Sequence, residues 1–404
     1  MLLALALGIL PAAYAHAASA ERYAASSAMA KGNWVKIDVS TPGLQTLTRQ
    51  NLRNFGFSDP NAVYVYGYGG RMISETLDSD HPDDLPPVPT VRNSDGSITF
   101  FATGFIATKA SSSLKMRYEH TINPYGETSY YFLSDVKPEG EAPALDLSDT
   151  AMSVAETFTC QLVHERDLIQ CATSGRDYLG EDFRLNKSQT FDFELTDNTS
   201  DKVRIRVKFA ANTPVAASSF IVSANGERLA ATSEDRIPAS TSSDQFYRQT
   251  TSLKTAEGIG NQLTVGIEYS QAGVVNVARL DWIEVEYERA LTMRDSRLHF
   301  TVNPTTPTAY RISGATEQTI VWDVTRPWDI REVKGTYDAA SKTITIGVAE
   351  KGLREFIAFE PSAKGASIPG RFKTANQDIH GLPTPDMVVI APEEFTTKIG
   401  RAHI

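Results

Sequence analysis

Thiols are scarce in this sequence: of its 404 residues only Cys160 and Cys171 are cysteine. That excludes a small disulfide-stapled fold and a cysteine-built zinc module, both of which need more sulfur. A basic excess is also missing. Lys plus Arg number 39 against 49 for Asp plus Glu, leaving a net charge of −10. No nucleic-acid partner is expected, because phosphate recognition calls for a basic face. Beyond the N-terminus no run is apolar enough to cross a bilayer as a helix. Gly and Pro are scattered, without the period of collagen or the density of low-complexity chains. The sequence contains no HExxH, GxSxG or P-loop, so zincin, serine-hydrolase and nucleotide-binding chemistry have no foothold, and no cofactor or metal is expected.

Aromatic and β-branched residues are plentiful, and the length suggests about two to four domains. The start reads as an export signal at 1–20. Leu2–Leu10 is apolar but short, and PAAYAHAASA follows it. Ala13-Tyr14-Ala15 and Ala18-Ser19-Ala20 both fit a small-x-small cleavage site, giving cleavage before His16 or Glu21. Such a leader makes the protein an exported one. In that setting Cys160 and Cys171 form either one disulfide or two unpaired thiols, since spacing alone does not fix their separation.

The body reads as strands. In NWVKIDVSTPG, Val35, Ile37 and Val39 alternate with Lys36 and Asp38, a half-buried strand. Thr48 is placed to cap a short helix that Gly56 ends. AVYVYGYGG, SITFFATG and NPYGETSYYFLS add strands, for a β-rich domain over 33–140. KPEGEAPALDLSDT, 137–150, reads as a linker. TFDFEL, KVRIRVKFAA, SSFIVSANGERL, QLTVGIEYS and LDWIEVEYERAL then predict an antiparallel, jelly-roll-like sandwich over 155–290, with Asn225-Gly226 as a hairpin turn. Within it, Trp282 and Glu284 should face one side and Ile283 and Val285 the other. A smaller β domain occupies 291–375, with a hairpin turn at Asp338–Ser341, and SAKGASIPGRF reads as a second linker. At 382–398 the character changes. Met387–Ala391 is an unbroken apolar run, the signature of a parallel-sheet strand buried on both faces. The fold class is therefore mainly β: tandem antiparallel sandwich or jelly-roll-like units, then one strand of an α/β type.

Few residues suggest chemistry. Cys160 and His164 stand four apart, but no oxyanion-forming turn accompanies them. Asp78, Asp80, His81, Asp83 and Asp84 are rich in oxygen yet lack calcium-loop spacing, and read as a solvated turn. Tyr310, Trp322 and Trp328 read as core or cross-strand aromatics rather than a sugar face. No catalytic residue is assigned.

Several stretches taken together resemble one family. WVKIDVSTPGLQTLTRQNLRNFGFSDPNAVYVYGYGG, DDLPPVPT, NPYGETSYYFL, SGRDYLGEDF at 174–183, LDWIEVEYERALTM and IVWDVTRPWDI are similar, in order and spacing, to the gingipain-like sortases of the Bacteroidetes type IX secretion system, the PorU family. PDMVVIAPEEF resembles the first strand of their caspase-like peptidase domain. The resemblance runs from Trp34 to Phe395. It implies an N-terminal fragment, because the family's catalytic His and Cys lie further along and no residue here matches them; IGRAHI at 399–404 departs from the family. It also implies a whole-protein role. A cysteine thiolate cleaves cargo before its C-terminal sorting domain, and the cargo passes to an amine on anionic lipopolysaccharide at the cell surface, beside an outer-membrane barrel component. The other function class left open is a secreted β-sandwich binding module for glycan or protein.

Overall fold

Val35, Ile37 and Val39 are all buried, as the period of two requires of Trp34–Val39. The computed structural model describes residues 24–391 apart from 75–81, 114, 127, 141, 172–174, 240–245, 272, 369, 386, 388 and 390. The expected signal peptide, the 399–404 tail, and Asp78, Asp80 and His81 lie outside the described residues.

Two sheets form the first unit. One runs in the order Gly370–Lys373, Trp34–Val39, Ser129–Ser134, Tyr64–Tyr66, Pro87–Val88; the other in the order Ala366–Ser367, Gly43–Leu47, Ile98–Ala102, Thr90–Arg92. Ile37, Leu47, Phe100 and Leu133 share its core. The helix Arg49–Asn54 packs Leu52 into that core. Its start is fixed reciprocally: Asn51 N–H donates to Thr48 Oγ1 at 3.1 Å, and Thr48 N–H donates to Asn51 Oδ1 at 3.0 Å.

The second unit is the sandwich. Thr157–Glu165, Val277–Ala290, Val203–Asn212 and Arg248–Ala256 make one sheet. Ser188–Glu194, Gln262–Gln271, Ser218–Ala224 and Glu227–Arg228 make the other. Asn225 and Gly226 turn the last hairpin at φ 49° and 86°, the left-handed pair a two-residue turn needs. Ile283 and Val285 point into the sandwich core, and Trp282 and Glu284 point out of it, as the alternation predicted. A register shift beside Lys208 sets Trp282 opposite Lys208 and Leu280 opposite Phe209. Asp281 is the extra residue, so Leu280 returns to the core face.

The third unit packs two further sheets around Phe300, Ile312, Ile346 and Phe356. Both stretches read as linkers contribute strands. Leu145–Asp146, inside the first, pairs in parallel with Arg331–Lys334, and just past it Ser153–Ala155 pairs in parallel with Thr308–Ser313. Ala366–Ser367 and Gly370–Lys373 return to edge the first unit's two sheets, so 366–373 belongs with 33–140 rather than with 291–375. Composition missed them because an edge strand needs hydrogen-bonding backbone more than apolar side chains. The units are also fused: Trp322, Ile357 and Phe359 of the third sit in the first unit's core.

One open alternative is resolved and one sequence expectation is corrected. Cys160 and Cys171 are both free. Cys160 packs between the sandwich and third-unit cores, whereas Cys171 sits with Leu179, Ala210 and Val277 in a separate cluster. Of the apolar run Met387–Ala391, the described residues Met387, Val389 and Ala391 are in no strand, and Met387 and Val389 are exposed. A strand exists only by pairing, and no strand lies beside these residues among those described.

Candidate functional site: the junction of three units

The hairpin of Ile106–Ala110 and Tyr118–Ile122 leaves the first unit and lies on the outward face of Val277–Ala290. Its outer N–H groups find carboxylates instead of a further strand. Tyr118 and Arg117 N–H donate to Glu286 Oε1 at 2.7 and 2.9 Å, and His120 N–H donates to Glu284 Oε1 at 3.0 Å. The His120 ring is held on both sides, Nδ1 to Glu284 Oε1 at 2.5 Å and Nε2 to Glu165 Oε2 at 2.6 Å. Arg206 Nε donates to the other Glu284 oxygen at 2.5 Å, and its guanidinium lies 5.3 Å from the Trp282 ring. Burial pushes the His120 pKa down, but the hydrogen bonds to Glu165 and Glu284 prevail and raise it to about 9. His120 is thus an imidazolium at neutral pH. Burial pushes the Glu286 carboxyl up, against the two backbone donors. The signal for this face was in the sequence: Glu284, Glu286 and Glu288 form a period-two acidic stripe, and the hairpin buries the first two.

A second fastener joins the first and third units. Arg71 Nη2 reaches both oxygens of Glu355 at 2.8 and 2.7 Å, and His299 Nε2 meets Glu355 Oε1 at 2.8 Å. Burial raises the Glu355 pKa, but Arg71 and His299 outweigh it and hold it at about 2.

Between these fasteners lies a cleft of about 1060 Å³, floored by Leu44, Phe101, Phe158 and Phe300, with contributions from all three units. Cys160 lies on its wall, where burial pushes the thiol up, so it is no activated nucleophile. His164 shares its strand rather than a helix, so four residues separate the pair by about 13 Å. His164 instead meets Glu181 at 3.0 Å, which gives the SGRDYLGEDF element a structural task. Burial raises the Cys171 thiol as well. Asp84 accepts N–H bonds from Ala28 and Leu85, both at 2.7 Å, tying down the N-terminal segment. Trp322 and Tyr310 are core residues of different clusters and Trp328 is half-buried, so they form no common face. Among the described residues no His, Cys, Asp and Glu group of three or more is placed to hold a metal.

Three interlocked β units around a cleft form a multi-sheet β scaffold. That scaffold is PorU-like. The chain superposes on dimeric latent PorU from Porphyromonas gingivalis with a TM-score of 0.74 and 27% identity, over 90% of its own length. It spans about a third of that protein, 35%. Overlaps with a β-porphyranase of glycoside hydrolase family 86 from Bacteroides plebeius (TM-score 0.23, 11% identity, 64% of this chain and 35% of that one) and with the Cry4Aa toxin from Bacillus thuringiensis (0.22, 12%, 63% and 42%) are too slight to bear on function. No protein-family model matches the sequence, and no curated protein sequence matches it.

Proposed function

We propose that the chain is the scaffold portion of a type IX secretion sortase. The observation that carries this is the PorU-like fold across 90% of the chain. On this reading the protein is exported and works at the outer membrane. The β units hold a cysteine peptidase domain against an outer-membrane barrel partner. That domain removes the C-terminal sorting domains of cargo and passes cargo to anionic lipopolysaccharide. Cleavage through a thioester needs a thiolate, a base in hydrogen-bond reach and donors for the oxyanion. Cys160 and Cys171 supply none of this: both are free, apart from each other, and raised in pKa by burial.

The test compares the purified chain with a form extended along its genomic reading frame, each incubated with cargo bearing a sorting domain. Turnover by the extended form alone is expected. Turnover by the chain itself that disappears in Cys160→Ala or Cys171→Ala overturns the reading, as does a stop codon directly after Phe395 in the genome.

A further inference from the structure

We infer that the central cleft is a docking groove for an extended acidic peptide, which adds to the free edge of Thr157–Glu165 along its wall. Residues 158–162 all line the cleft, and so do residues 297–301. Side chains of consecutive strand residues point to opposite faces, so a cavity meeting every one of them faces the edge of the strand, not a face. Both strands are sheet edges. Thr157–Glu165 pairs only with Val277–Ala290 among the described residues, so it turns a row of backbone donors and acceptors toward the groove, which is what an added strand uses. The outer edge of Arg297–Val302 is already met at Arg297 by Arg294 and at Thr301 by the Tyr118 hydroxyl, so it forms the opposite wall and not a second free edge.

Charge selects the peptide. The protein carries −10 overall, yet Arg71, Arg289, Arg294, Arg297 and Lys364 line this cleft; Arg71 is paired with Glu355, and Arg289 and Arg294 face Asp197 at 3.9 and 2.6 Å. Of the acids lining it, Glu355 is already engaged by Arg71 and His299, leaving the exposed Glu194 and Asp295. Arg297 and Lys364 are in no ion pair with a described residue; Arg297 donates to the Lys364 carbonyl at 2.9 Å. The buried Nε–H groups of Arg71 and Arg289 have no hydrogen-bond partner among the described residues. A buried guanidinium N–H without an acceptor is costly, and a ligand carboxylate removes that cost.

This inference does not depend on the sortase reading, because binding is measured without turnover. The experiment titrates a fluorescein-labelled alternating Glu-Val peptide with the full chain, beside a Lys-Val peptide and dextran sulfate. Expected are binding of the Glu-Val peptide alone among the two peptides, weakening with added salt, and slowed amide exchange at 158–162 on saturation. The double variant Arg297→Glu/Lys364→Glu should weaken binding about tenfold, with its melting curve unchanged; Arg297→Gln/Lys364→Gln should fall between. Equal binding of both peptides, an unaltered affinity in both double variants, or no exchange protection at 158–162 overturns the proposal. Dextran sulfate bound with the same Arg297 dependence, while the Glu-Val peptide is not bound, overturns it in favour of an anionic glycan.

Discussion

The two fasteners of the first unit are electrical opposites. At the sandwich, one cation, His120, is wedged between the acids Glu165 and Glu284, with Arg206 backing Glu284. At the third unit, one acid, Glu355, is wedged between Arg71 and His299. Burial opposes the charge at the centre of each, and the flanking partners win in each. The difference lies in the pH at which each fails. His120 is raised from 6.5 to about 9, so its contribution is complete below 6.5 and is lost as pH climbs through 9. Glu355 is lowered from 4.5 to about 2, so its contribution is complete above 4.5 and is lost as pH falls through 2. Alkali loosens the hairpin from the sandwich, and acid loosens the first unit from the third. Between 4.5 and 6.5 both hold.

The sharpest way to break the contrast is Glu284→Ala. It strips His120 and Arg206 of a shared acceptor at a side chain only 1% exposed. We expect a loss of about 3–5 kcal/mol in urea unfolding; a loss below about 1 kcal/mol would mean that the hairpin is held by packing instead. Next in size is the alkaline limb. Between pH 6.5 and a value above 9 the wild type should lose roughly 3 kcal/mol, with amides of 106–122 exchanging faster, and His120→Gln should flatten that dependence. Glu355→Gln should cost less, about 2 kcal/mol, because His299 already reaches solvent at 44% exposure. It should also make the acid limb shallower, read as an unfolding midpoint that declines less below pH 4.5 than in the wild type. The smallest effect concerns neither fastener. Because Cys160 and Cys171 are free, reductant should leave the melting temperature unchanged, and intact mass should report two thiols.

Much of the fold was legible because alternation is a local signal. Val35, Ile37, Val39, Ile283 and Val285 announce their buried faces within a few residues of sequence. The Thr48 cap and the Asn225-Gly226 turn are equally local. The junction was not legible, for a physical reason. Its residues come from Arg71, the 118–120 strand, Glu165, Arg206, Glu284, His299 and Glu355, and no spacing rule links them. Worse, the stripe Glu284, Glu286, Glu288 resembles a solvated face, and only the docked hairpin makes two of those acids interior. The linkers misled in the opposite sense. Gly365, Gly370 and the Ser and Pro around them look like spacer, yet a side chain at Gly365 would collide with the Gln45 backbone at 2.5 Å, so glycine there marks a close approach.

The return of Ala366–Ser367 and Gly370–Lys373 to the first unit sets a timetable. Gly365 N–H donates to Thr46 Oγ1 across 319 residues of chain, and Trp34–Val39 acquires its outer neighbour from residues 370–373. A polypeptide delivered N-terminus first therefore makes this unit earliest and finishes it last. Until residue 373 arrives, the outer edge of Trp34–Val39 stays open to any stray strand, and closing so long a loop is slow. The sandwich, whose strands all fall between 157 and 290, suffers no such delay. Assembly thus runs from the middle of the molecule outward, and the last strands to be made act as the latch.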